Sequence, residues 1–333
     1  MTVTSLLKAH WPLVLLIVGL LIFPLAVREP FPVHLMTMVF MWSTLGMGWN
    51  LLGGYAGQVS LGHAVYFGLG AYVPALLLVK AGVVPWVGMI AGAVVACLVA
   101  FLLGWPLFRL YGHYFSIATI CLCEVVWILF TNWDWAGGAR GLFLPIKGTS
   151  LLYMQFSQKT GYYYLSLLIL VCCFLVVRHV STSRLGYYFR AIKGDPDAAL
   201  ALGINITRFK IVALVLSALF ASICGCFYAN YVLYIDPDST LVFHISCLMC
   251  LIPVLGGLGT LVGPIIGAAI LVPLSEFTRV YFSGAGRAVD LLIYGTLIVI
   301  LAVLQPTGLV GLVERFRVRT AKQCAGGWVE KNG

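Results

Sequence analysis

The sequence predicts an all-α, polytopic helix bundle embedded in a lipid bilayer, and three observations carry that expectation. Hydrophobic residues make up 62% of the 333-residue chain and charged residues only 9%. Apolar runs long enough to cross a bilayer follow one another along almost the whole length. The few Lys and Arg residues gather in the short segments between those runs. A soluble domain holds about 45–50% apolar and about 25% charged residues. A chain this apolar could not hide its hydrophobic surface inside a water-soluble fold, whereas lipid solvates it directly.

A spanning helix needs about 20 largely apolar residues. Ten candidate spans satisfy that ruler, at about 12–27, 33–52, 59–79, 84–108, 112–131, 161–178, 208–234, 241–257, 260–282 and 288–304. The first follows Lys8 and ends in Ala26-Val27-Arg28-Glu29-Pro30 with no small-x-small cleavage signal, so it reads as a retained helix rather than a signal peptide. The runs are continuously apolar, not alternating, which argues for helices over a β-barrel. A lipid-exposed backbone must satisfy its own hydrogen bonds, and a helix does so within one segment. One transmembrane domain over 1–312 is expected, interrupted by a basic loop over about 179–207 and followed by a basic tail at 313–333.

Charge orients the bundle. Arg178, Arg184, Arg190, Lys193, Arg208 and Lys210 face only Asp195 and Asp197 in the longest basic segment. The tail holds Arg315, Arg317, Arg319, Lys322 and Lys331 against Glu314 and Glu330. Both should be cytoplasmic, and the segment at Asp236 and Asp238, which lacks Lys and Arg, external. Span parity then places both termini inside and segment 132–160 outside, although it carries Arg140, Lys147 and Lys159. The net charge of +9 thus serves orientation in the membrane and not nucleic-acid binding. Nine of the ten cysteines lie inside apolar runs and Cys324 in the tail, as small hydrophobes do. Cys247-x-x-Cys250 has no second pair or histidine pair to complete a metal site.

Two glycine-rich stretches interrupt the helical pattern, one holding Gly53, Gly54 and Gly57, the other Gly256, Gly257 and Gly259. Interrupted segments in corresponding halves of a transporter often flank its path, and they also serve as plain turns between packed helices. Asn50, Gln58, Ser60 and His63 crowd the first break. They suit two roles: exchangeable hydrogen bonds to a passing polar solute, or caps on broken helices. Glu124 sits mid-span, where a charge costs about 2.5–3.5 kcal/mol, so it is expected to face the bundle interior in a pathway or helix-packing role. Glu276 and Arg279, three apart near a span end, are expected to pair. No nucleophile–base arrangement and no G-x-x-x-x-G-K-[ST] loop occurs, so neither an enzyme nor a nucleotide site of that kind is expected. In the basic loop, Asp197-Ala198-Ala199-Leu200-Ala201-Leu202-Gly203 reads as a short helix with an acidic first turn and a glycine stop. Ala198, Ala201 and Leu202 share one apolar face, suited to a partner's groove or to the membrane surface.

That D-A-A-x-x-x-G pattern resembles the E-A-A-x-x-x-G loop of ABC importer permeases, with Asp in place of Glu. Further stretches resemble the branched-chain amino acid permeases among them. These are Arg190-Ala191-Ile192, Ile204-Asn205-Ile206-Thr207-Arg208, Trp49-Asn50-Leu51-Leu52-Gly53-Gly54-Tyr55 and Ser60-Leu61-Gly62-His63. So do Asn132-Trp133 to Gly137-Gly138, Leu255-Gly256-Gly257-Leu258-Gly259-Thr260 and Gln305-Pro306-Thr307-Gly308-Leu309, the resemblance covering about 33–312. It implies an inner-membrane permease that pairs with a second, related permease subunit. Two cytoplasmic ATPases would hold ATP and Mg, a soluble binding protein would deliver solute, and no cofactor would be bound by the chain itself. It also implies that Arg190, Asp195, Asp197, Ala198, Ala199, Leu202 and Gly203 form an ATPase-coupling element, the shorter Asp altering its reach. Urea and short-amide permeases belong to the same family and are the alternative substrate reading. An ATPase-independent secondary transporter or channel is the alternative of another class. It calls for more in-membrane ionisable groups than Glu124.

Overall fold

The computed structural model describes residues 19–282 apart from 28, 111 and 149, together with 295, 296 and 309. Residues 19–26 are helical and continue past Glu29 into α1 (Pro30–Asn50), which Pro30 starts at a position where its missing N–H costs nothing. A π-helical turn, Leu51–Tyr55, prolongs α1 into the first glycine break. Then come α2 (Ala64–Ala81), closed by Gly82 in the left-handed region, α3 (Pro85–Leu107) and α4 (His113–Thr131). A largely irregular segment carrying β1 (Leu142–Phe143) leads to α5 (Lys159–Thr182). The basic loop folds into α6 (Arg184–Gly194) and α7 (Pro196–Ala201). There follow α8 (Ile206–Val232), β2 (Tyr234–Ile235), α9 (Pro237–Thr240), α10 (Phe243–Gly256) and α11 (Gly263–Phe282).

The all-helical membrane bundle expected from composition is what forms, with one small departure. β1 and β2 pair antiparallel, Leu142 opposite Ile235 and Phe143 opposite Tyr234. They tie the segment after α4 to the turn after α8. The count of ten spans is not reached among the described residues, where six helical stretches are long and apolar enough to cross a membrane. These are α2, α3, α4, α5, α8 and the joined stretch Pro237–Gly256. The expected span at 33–52 is α1, whose Thr37, Ser43, Thr44 and Asn50 are buried polar groups. That at 260–282 opens in a loop and leaves only the shorter apolar helix Gly263–Thr278. The span at 288–304 and the tail at 313–333 lie outside the described residues, save 295 and 296, as do residues 12–18 of the first span. Arg279's side chain likewise lies outside them, so the pair with Glu276 is not described.

Packing is inverted relative to a soluble helix. Along α3 the large side chains Val87, Ile90, Val94, Leu98, Phe101 and Trp105 are exposed at three- and four-residue spacing. Its buried residues beyond Pro85 are small: Gly88, Gly92, Ala93, Ala96, Ala100 and Gly104. Lipid is as apolar as leucine, so nothing drives large side chains inward, and helices instead approach through small ones. A close crossing joins α2 to α8. A Cβ at Gly225 would overlap the Phe67 carbonyl, and one at Gly70 the Ser222 backbone. These two helices form the centre, 72% and 67% of their most apolar stretches being buried, against 22% for α4. α1 packs against α8 and is flanked in turn by α5, α10 and α11.

Candidate functional site: the glycine junction and the helical elbow

The two glycine breaks, about 200 residues apart in the chain, meet in space. Gly53 and Gly54 belong to the π-turn, and Gly57 follows it at φ +73°. Gly256 ends α10, Gly257 caps it, and Gly259 turns the chain at φ +75°. Asn50 straps the breaks together: its Nδ2 donates to the Thr260 carbonyl at 2.8 Å and its Oδ1 accepts from Gly259 N–H at 2.9 Å. Position 54 must be glycine for this, because a Cβ there would overlap Asn50 Oδ1 and crowd Gly259 N.

A second polar cluster lies just beyond. The His63 ring contacts Ser60 Oγ at 3.0 Å and Ser217 Oγ at 2.7 Å. Trp49 Nε1 donates to the Ser60 carbonyl at 2.7 Å. Ser246 Oγ on α10 accepts from Ala64 N–H at 2.8 Å, satisfying a donor at the start of α2. The expected span at 59–79 therefore begins only at Ala64; residues 56–63 are non-helical and are held by side chains from other helices. Of the four polar residues at the break, Asn50, Ser60 and His63 are buried and use their hydrogen bonds inside the protein. Gln58 alone is partly open, and its amide reaches only the Gly57 carbonyl at 3.4 Å.

Glu124 corrects an expectation. It lies on an exposed face of α4 and not toward the bundle interior. The same face shows Ile117, Val125 and Ile128, about half exposed each. The sequence argument assumed that a costly charge must be hidden within one chain. Burial in one chain is set instead by which faces find helix neighbours, and α4 finds few.

The basic loop forms a helical elbow. Arg190 braces it, donating from Nη2 to the Ser181 carbonyl at 2.7 Å and from Nε to the Gly186 carbonyl at 3.2 Å, while lying over the Tyr187 ring. Asp195 caps α7, its Oδ1 accepting from Asp197 N–H at 2.9 Å and Ala198 N–H at 3.2 Å, with Pro196 in the first helical position. Gly203 ends the element at φ +83°. Its N–H bonds the Leu200 carbonyl and Ile204 N–H bonds the Ala199 carbonyl, the paired pattern of a glycine-terminated helix. Ala199 is a second correction: at 2% exposure it packs against the body of the protein and offers nothing to a partner. The outward face is made of Asp197, Ala198, Ala201 and Leu202, with Leu200 beside them. Leu202 is 80% exposed.

Sequence reading missed Lys193 as a structural group, counting it only toward topology. Its ammonium donates to the Gly54 carbonyl at 2.7 Å, joining elbow to junction. Thr260, Ser217 and Ser246 were also passed over; small hydroxyls in apolar runs carry no signal until a partner faces them. Among the described residues no three metal-ligating side chains converge, and Cys247 and Cys250 are free thiols.

The family description "Branched-chain amino acid transport system / permease component" matches residues 31–301, which contain the junction and the elbow together. The chain belongs to this permease family. It is 30% identical to the high-affinity branched-chain amino acid transport system permease protein LivM of Salmonella typhimurium, over 87% of this chain and 73% of that protein. It is 29% identical to LivM of Escherichia coli, over 90% of this chain and 75% of that protein. LivH of Salmonella typhimurium is 24% identical over 82% of this chain and 92% of its own length. No solved structure matches. As a member of this permease family the chain is a multi-pass membrane transport subunit.

Proposed function

We propose that this chain is one of two related permease subunits of an ATP-driven importer for branched-chain amino acids in the inner membrane. The observation that carries the reading is α7. A six-residue helix, capped at one end by Asp195 and stopped at the other by Gly203, holds apolar side chains out at the end of the molecule where basic residues gather. A short helix held rigidly and exposing leucine is suited to a groove on a cytoplasmic partner. That partner is an ATPase holding ATP and Mg, one beneath each permease. A soluble binding protein delivers solute at the opposite end, where β1, β2 and α9 lie. Alternating access follows: closure of the ATPases draws the elbows together, and each bundle rocks about the junction. The substrate class comes from the names of the LivM and LivH relatives.

Reconstitution tests this directly. Vesicles holding the chain, its sister permease and the ATPases should take up leucine only with ATP inside and the binding protein outside. Cysteines at Gly194 and Ile146, both exposed, should label from the cytoplasmic and external sides respectively. Uptake without ATPase, or external labelling at 194, overturns the reading.

Glu124 belongs on the solute path in this scheme, on a face that the second permease covers. A lone carboxylate facing lipid costs about 2.5–3.5 kcal/mol, which a polar path or a partner's donor offsets. Glu124→Gln keeps volume and hydrogen bonding and is expected to retain more transport than Glu124→Ala. Equal loss in both, with the complex intact, would show that the ionised carboxylate itself is required.

A further inference from the structure

We infer that Lys193 is a latch that makes the elbow and the two glycine breaks move as one body, so that motion at α7 reaches the membrane-embedded junction. This rests on the reading of α7 as the ATPase-docking element. Three contacts define the latch. The Lys193 ammonium donates to the Gly54 carbonyl at 2.7 Å. Gly57, at φ +73°, packs its backbone on the Lys193 stem, where a Cβ would come within 3.0 Å of Cγ. Gly259 lies against the same pair, its Cβ position 3.0 Å from the Gly54 oxygen and 3.5 Å from the Lys193 ammonium. Through Asn50, that residue and Thr260 are already fixed to the end of α1.

The chemistry of the turn explains the choice of group. The Gly54 carbonyl lies in a π-turn, where regular i→i−4 pairing is lost and a carbonyl is left for an outside donor. A charge-assisted bond from an ammonium is stronger than one from a neutral side chain, and a flexible four-carbon stem lets it form as the elbow docks. Lys193 follows Ile192, which is buried, and precedes Gly194 and the cap Asp195. It therefore sits at the last turn before the docking helix, where a tether transmits displacement with least slack. Arg190 one turn earlier braces α6 to the end of α5 and carries its charge near Tyr55 of the π-turn, whereas Lys193 bonds a junction carbonyl directly.

The test separates docking from transmission. In the reconstituted complex, Lys193→Met keeps the stem and removes the donor, while Lys193→Arg keeps a donor. Lys193→Met is expected to capture the ATPase normally and hydrolyse ATP, while solute moved per ATP falls about tenfold, the loss of one charge-assisted hydrogen bond. Lys193→Arg should restore most of it. Unchanged transport per ATP in Lys193→Met overturns the latch. Loss of ATPase capture also overturns it, because Lys193 would then belong to the docking surface. The docking reading fails separately, if Ala198 variants capture ATPase as the parent does. Spin labels at Arg184 and Val262 give a measurement independent of transport. Their separation should stay fixed through the ATP cycle in the parent and vary in Lys193→Met; a separation that varies in the parent overturns the proposal.

Discussion

Ala198→Glu is expected to abolish ATP-driven uptake while leaving the permease folded, inserted and paired. The substitution is chosen because it cannot unwind α7. Position 198 is the third helical residue after the Asp195 cap, where glutamate suits both the capping pattern and the positive end of the helix dipole. Position 198 is also exposed, so the isolated permease loses no packing. The loss therefore falls on the docked state alone, where an unpaired carboxylate meets an apolar groove. At about 3 kcal/mol or more, ATPase capture should weaken roughly a hundredfold. Gly203→Val should reach the same end by another route. Left-handed backbone costs about 1–2 kcal/mol for a residue with a Cβ, more when β-branched. A helix of six residues has no reserve of its own with which to absorb that. A pull-down of ATPase on permease vesicles, scored beside membrane abundance, checks both. Full capture in both variants removes α7 from the coupling role and leaves it as a surface helix.

Gly54→Ala is the other change with a large expected effect. One methyl group would occupy the position of Asn50 Oδ1, so Asn50 must rotate away and release both Gly259 and Thr260. Two hydrogen bonds go, and buried amide groups are left unpaired, for a loss of about 2–4 kcal/mol at the junction. The expected outcome is an inserted protein whose uptake falls at least tenfold. Gly194→Ala is the matched control: nothing lies within 4 Å of its added carbon, and uptake should stay near the parent value. Comparable uptake in Gly54→Ala and Gly194→Ala would show that the junction need not stay closed for transport.

Much of this molecule was legible before any coordinates. The membrane, the helical bundle and the family follow from apolar run length, loop charge and a few spaced motifs, because lipid leaves helices almost no alternative. Gly203 could be read as a helix stop from its place after an Ala- and Leu-rich run, and the backbone there is left-handed. The acidic first turn was legible too, but that Asp195, just before Pro196, caps the helix was shown only by the structure.

What the sequence could not show is which residues meet. Asn50 and Gly259 lie 209 positions apart, and neither break names the other in its residues. Lys193 looked like one more positive charge on a basic loop until the Gly54 carbonyl appeared opposite it. Ala198 and Ala199 are identical and adjacent, yet one faces outward and the other is buried, a choice made by how the elbow seats against the bundle. Glu124 was assigned inward from its own desolvation cost, but α4 within a single chain leaves the carboxylate uncovered. Local energetics and the lipid's demand on the backbone thus settle elements and class from sequence. Contacts between distant segments depend on how helices of similar apolarity choose neighbours, a small difference in packing that only the tertiary structure decides.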